Sequence, residues 1–158
     1  MAPRVQIVAY GNPLRSDDGV AWRIADALTG KYSAEEVEIV TLHQLGPELA
    51  ESIRRTECVI FIDAAAGPGR PGDVRIAEVP RSSDAPGFCH AVSPSHVLTM
   101  AAQLYGAQPR AFSTTIVGLC FDHGESLSKP VQAAIPVLIE RIEELLHNLS
   151  TTKDTKLH

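Results

Sequence analysis

A chain of 158 residues, 44% of them apolar, has the size and composition of one ordinary globular domain. About two-thirds of the unfolded surface can be buried at this length, so neither disulfides nor a structural metal are needed to complete a core. A net charge of −5 without any Lys/Arg cluster argues against nucleic acid as a partner, and every apolar run is interrupted short of the roughly 18 residues of a membrane span.

Val5 to Tyr10 is a short apolar run closed by Gly11, the mark of a buried strand, and Val20 to Leu28 carries apolar residues at helical spacing. Val37 to Leu42 alternates as a second strand. Pro47 to Ile53 predicts a short helix with Pro47 and Glu48 in its first turn. Cys58 to Ile62 is an all-apolar third strand that ends at Asp63. The run G-P-G-R-P-G from Gly67 to Gly72 is loop, and Val74 to Val79 alternates with charges outward, as an antiparallel edge strand does. Ser93 and Pro94 supply the N-cap and first position of a helix that Gly106 ends. Thr114 to Leu119 is a fifth strand. Val131 to Leu149 is an amphipathic helix in which Pro136 predicts a kink or a late start, and residues 150–158 read as a flexible tail.

The order β-α-β-α-β-β-α-β-α predicts an α/β fold, a three-layer α/β/α sandwich. Its sheet is five-stranded and mostly parallel, with one antiparallel edge strand, and residues 1–149 form a single domain. Cys58, Cys89 and Cys120 are widely spaced and odd in number, and no charged-then-apolar leader follows Met1. Reduced thiols in a cytoplasmic protein are expected.

Ligands of open parallel sheets bind beyond the carboxyl ends of the strands, where strand order reverses. Two acidic segments end there. Gly11-Asn12-Pro13-Leu14-Arg15-Ser16-Asp17-Asp18-Gly19 follows the first strand, and Asp63 closes the third. Carboxylates from two strands in one crevice suit a cation or an acid/base pair, although Asp17 or Asp18 also reads as a helix N-cap. The loop matches neither a dinucleotide-binding nor a P-loop pattern, and its paired carboxylates would repel phosphate. His90 precedes the third helix and His96 lies a turn inside it; either adds a nitrogen donor to two carboxylates, a set that zinc or nickel accepts. His43, His123 and His147 read as surface residues. No activated Ser or Cys nucleophile is indicated.

V-A-Y-G-N-P-L-R-S-D-D-G-V-A at Val8 to Ala21, V-I-F-I-D-A-A at Val59 to Ala65, H-A-V-S-P at His90 to Pro94 and T-I-V-G at Thr115 to Gly118 resemble, in order, the hydrogenase maturation proteases. The resemblance spans roughly residues 4 to 146, and the G-N-x-L-x-x-D-[DE]-G loop is its most specific element. It implies an aspartic-type processing endopeptidase that trims a C-terminal extension from the large-subunit precursor of a [NiFe] hydrogenase after nickel insertion. It also implies that Asp18, Asp63 and a histidine contact the metal, with Asp18 and Asp63 catalytic. The histidine is His90 by the H-x-x-P relatives and His96 is the alternate by the S-P-H relatives. The nickel belongs to the substrate, and zinc or cadmium would serve as surrogates.

A second reading is a receiver-like phosphoacceptor domain that binds Mg²⁺ through Asp17, Asp18 and Asp63. Against it, Asp17 lies well past the end of the first strand, and the fifth strand is followed by C-F-D-H-G-E with no lysine before Lys129. A plain small-ligand binding module would leave the acidic and histidine positions unexplained.

Overall fold

A computed structural model describes residues 4–80 and 92–156, and of 152–156 the backbone alone. Strands β1 (Val5–Tyr10), β2 (Val37–Leu42), β3 (Cys58–Ala65), β4 (Val74–Glu78) and β5 (Arg110–Val117) form one sheet in the order β2-β1-β3-β5-β4. All neighbours are parallel except β4, which runs antiparallel to β5 at the edge. The helices are α1 (Val20–Leu28), α2 (Leu49–Ile53), α3 (Pro94–Tyr105) and α4 (Lys129–Lys156), and a 3-10 turn at Ser16–Gly19 leads into α1.

The central strands β1 and β3 are buried on both faces, so they carry near-continuous apolar runs whose alternate residues enter different cores. Ile7, Ile60 and Ile62 face α1 and α4, meeting Ile24, Leu28, Leu138 and Ile142. Val8, Val59 and Phe61 face α2 and α3, meeting Ile53, Val97 and Ala101. Gln6, 1% exposed, shares this second face and satisfies its amide against Ser52 of α2, with Gln6 Nε2 donating to Ser52 Oγ at 2.9 Å. Strand alternation places Tyr10 and Asp63 on the α2/α3 side as well.

Several boundaries differ from the sequence expectation. β3 runs past Asp63 to Ala65, because β5 offers partners to the end, with Asp63 opposite Thr115 and Ala65 opposite Val117. β5 begins at Arg110 rather than Thr114, since Arg110 to Ser113 pair with Cys58 to Phe61. α2 starts at Leu49 rather than Pro47. The third helix matches its signals: Ser93 Oγ accepts from the His96 backbone N–H, His96 Nδ1 accepts from the Ser93 N–H, and Gly106 closes the helix in the left-handed conformation at φ 66°.

α4 begins at Lys129, continues through Pro136 and extends beyond Leu149 to Lys156. Pro136 lies on the exposed side while Leu138 and Ile142 hold the helix against the sheet, so packing overrides the missing N–H. A proline inside a helix costs about 3 kcal/mol, of which roughly 0.5–1 kcal/mol is returned by a stiffer unfolded chain. Pro136→Ala should therefore raise stability by about 2 kcal/mol in denaturant titrations, with an unchanged slope.

Candidate functional site

The loop after β1 and the loop after β5 close over the carboxyl end of the sheet as one interlocked unit. Gly11 begins the first loop at φ 145°, and a Cβ there would collide with the Asp18 carbonyl oxygen, so glycine is required for the return. The backbone N–H of Ser16 donates to Gly124 O at 2.7 Å, that of Asp17 to Cys120 O at 3.0 Å, and that of Gly124 to Leu14 O at 2.9 Å. Ser16 Oγ donates to Asp122 O at 2.7 Å and Arg15 Nε to Phe121 O at 3.2 Å. These bonds hold Ser16 at φ 52°, a left-handed conformation that costs a non-glycine residue about 1 kcal/mol or more.

Asp17 is the centre of this clasp. Fully buried at 0% exposure, its carboxylate accepts from the N–H groups of Leu119 (2.8 Å), Cys120 (3.0 Å) and Ser128 (2.7 Å) and from Ser128 Oγ (2.8 Å). Burial alone would raise its pKa, but the hydrogen bonds from Cys120, Ser128 and Leu119 outweigh it and hold the group below the usual carboxylate range. Its oxygens are spent on the protein, so it is no cation ligand. Nor does it cap α1, whose N-cap position is Gly19 with no side-chain bond.

Asp18, the next residue, is oriented differently. Its Oδ2 accepts one bond, from the Asn12 N–H at 2.8 Å, and Asn12 Oδ1 in turn accepts from the Leu14 N–H at 2.9 Å. Asp63 is only partly exposed and sits within electrostatic reach of Asp18. Its carboxyl is pushed up to about 7, chiefly by burial and further by the charge of Asp18, against the lowering pull of the Ala64 N–H (2.8 Å) and the Tyr10 hydroxyl. Tyr10 is raised in turn by burial and by the charge of Asp63. A carboxyl poised near neutrality beside a second carboxyl can exchange a proton with a bound water or give it up to a cation.

The structure thus brings together Asp18 and Asp63, as expected, and sets Asp17 aside. His90 and Cys89 lie outside the described residues. His96 stands at the start of α3, its Nδ1 held by Ser93, and among the described residues no group of three or more His, Cys, Asp or Glu is arranged to hold a metal ion. His43 is exposed after β2 and edge-on to Trp22 at 5.3 Å, while His123 and His147 are exposed. Cys58 is buried, its thiol pushed up to about 12 by burial, and so is inert at neutral pH. Tyr10 escaped the sequence reading; strand alternation relative to Asp63 was the available signal.

Residues 22–145 match the family model described as hydrogenase maturation protease, HycI. The chain belongs to the hydrogenase maturation protease family. The family assignment carries peptidase chemistry and gives the receiver reading no support, and the four internal bonds of Asp17 leave it unavailable as the Mg²⁺ ligand that reading required. The hydrogenase expression/formation protein HoxM of Azotobacter vinelandii is 30% identical over 154 residues, covering 91% of this chain and 73% of its own. HupM of Azotobacter chroococcum mcd 1 is 31% identical over 143 residues, covering 85% and 67%. The fold is that of the hydrogenase maturating endopeptidase HybD from E. coli, with a TM-score of 0.75 at 24% identity over 92% of this chain and 93% of that one. The [NiFe] hydrogenase maturation protease HycI from Thermococcus kodakarensis KOD1 gives a TM-score of 0.71 at 21% identity over 91% and 92%. No described helix is long and apolar enough to cross a membrane.

Asp17 and Asp63 make opposite stability predictions. Asp63 binds its proton more tightly folded than unfolded, so its contribution is most favourable below about pH 4 and is lost as pH rises through about 7. Asp63→Asn should stabilise the protein at pH 8 by on the order of 2–4 kcal/mol, with the gain disappearing near pH 4. Asp17 has the reverse sign: its stabilisation is present above the ordinary carboxylate pKa and is lost as pH falls through its lower folded value. Asp17→Asn, which turns an amide against backbone donors, should cost about 3 kcal/mol or more at pH 8. Chemical unfolding of both variants across pH checks the pair.

Proposed function

We propose that this chain is an endopeptidase that removes the C-terminal extension of a [NiFe] hydrogenase large-subunit precursor after nickel insertion, in the cytoplasm. The observation that carries the reading is the Asp18/Asp63 pair at the carboxyl end of the sheet in a member of the maturation protease family, with Asp63 pushed up to about 7. The nickel is part of the substrate. Asp18, Asp63 and His90 meet the metal already seated in the precursor, so that a correctly loaded subunit is bound before the irreversible cut. Zinc or cadmium would replace nickel in binding tests. Within the pair, Asp63 is suited to take a proton from the attacking water, and Asp18 to face the metal.

His90 is preferred over His96 for a physical reason. His96 Nδ1 already accepts the Ser93 N–H at 3.1 Å, which ties the ring to the start of α3. Removing His96 therefore removes a cap.

Asp18→Asn and Asp63→Asn should each slow trimming of a nickel-loaded precursor by at least about a hundredfold, followed by mass, because an amide is a poorer ligand and no base. Full-rate trimming by both variants would sink the assignment of the carboxylates. The histidines separate in a second experiment. His90→Ala should abolish calorimetric binding of nickel or zinc at an unchanged melting temperature, whereas His96→Ala should keep binding and lose about 1 kcal/mol of stability with its cap.

A further inference from the structure

Two large apolar side chains stand out at the mouth of the candidate site. Leu14 is 55% exposed on the loop after β1, and Leu119 is 60% exposed on the loop after β5. A single exposed leucine is ordinary. What distinguishes these two is how they are held. The N–H of Leu14 donates to Asn12 Oδ1, and the N–H of Asn12 donates to the Asp18 carboxylate; the N–H of Leu119 donates to the Asp17 carboxylate. Leu14 is fixed again through its carbonyl, which accepts from Gly124.

Leu14 is therefore tied through Asn12 to Asp18, and Leu119 to Asp17, the residue beside Asp18, and each side chain is presented to solvent from a loop held by its own backbone. In Leu14's loop the neighbouring Ser16 and Asp17 are buried, so the exposure is local to the tip rather than a sign of a loosely packed segment. Rigid apolar groups set beside carboxyl groups favour a polypeptide over a small charged ligand: a peptide offers apolar side chains on either side of the bond that must reach the carboxyls. Because the leucines are already ordered, binding would cost little further conformational entropy at these positions.

We propose that Leu14 and Leu119 are specificity-determining residues that grip apolar side chains of the precursor polypeptide flanking the bond to be cut. The inference rests on the endopeptidase reading above and adds the surface by which the substrate is held. Neither residue touches a reacting atom, so their contacts are equally strong in the ground and transition states. Such binding acts on KM and leaves kcat alone.

The test is steady-state processing of a nickel-loaded [NiFe] large-subunit precursor by the wild type and by Leu14→Ala, Leu119→Ala, the double variant and Leu14→Met. Truncating a leucine contact should raise KM about tenfold in each single variant and more in the double, with kcat within about twofold. Leu14→Met, which keeps the apolar volume, should stay near wild type, and thermal melts should coincide for all. Unchanged KM in both single variants and the double, or a fall in kcat at constant KM, would overturn the grip while leaving the endopeptidase reading intact. Failure of the wild type itself to cut the precursor would overturn the reading and the grip with it.

Discussion

One buried carboxylate holds the working end of this molecule together. Asp17 gathers donors from Leu119, Cys120 and Ser128 into the short loop between β1 and α1, and so joins segments that the sheet by itself would leave apart. An ionised group without solvent is stable only when its lone pairs are all met by donors, and here the donors are mostly backbone N–H groups that side-chain motion cannot withdraw. Ser128 also immediately precedes α4, so the negative charge lies toward the favourable end of that helix. With this anchor in place, Ser16 can be kept in a strained backbone and Asp18 can be aimed away from the clasp.

Adjacent aspartates thus divide two tasks that a single carboxylate could not perform. Full satisfaction pins Asp17 as an anion, whereas Asp18 accepts one bond, from the Asn12 N–H, through Oδ2. Asp63, on a strand buried on both faces, occupies the contrasting environment: few donors, little water and a negative neighbour. The fold tolerates this destabilised group because the surrounding β1, β3 and β5 ladder is apolar and continuous. Sites of chemistry are commonly places where stability has been given up in this way.

Much of this was legible from residue order. Burial on both faces made β1 and β3 continuous apolar runs, and Ser93, Pro94 and Gly106 marked both ends of α3 by their individual conformational preferences. The misplaced start of β5 has a physical origin: Arg110 to Ser113 read R-A-F-S without a β-branched residue, a weaker strand signal than the all-β-branched T-T-I-V of Thr114 to Val117. Pro136 misled because local propensity was outweighed by the burial of Leu138 and Ile142. At the site, the motif pointed to Asp18 and Asp63, but nothing in D-D distinguishes the buried structural aspartate from its half-buried neighbour. That difference comes from donors at Leu119, Cys120 and Ser128, more than a hundred positions away and invisible to any local pattern.

The clasp has a consequence for how the protein comes into being. Its bonds join Asp17 to Ser128, 111 residues later, and Ser128 precedes the last helix. Contacts of such sequence separation close late, because most of the chain's entropy must be spent before they form. During vectorial synthesis the first strands and α1 can pair and pack while the loop bearing Asp18 still lacks its anchor. The clasp is therefore assembled only once Ser128 has emerged, and a product truncated ahead of that residue carries both Asp18 and Asp63 but lacks the anchor beside Asp18.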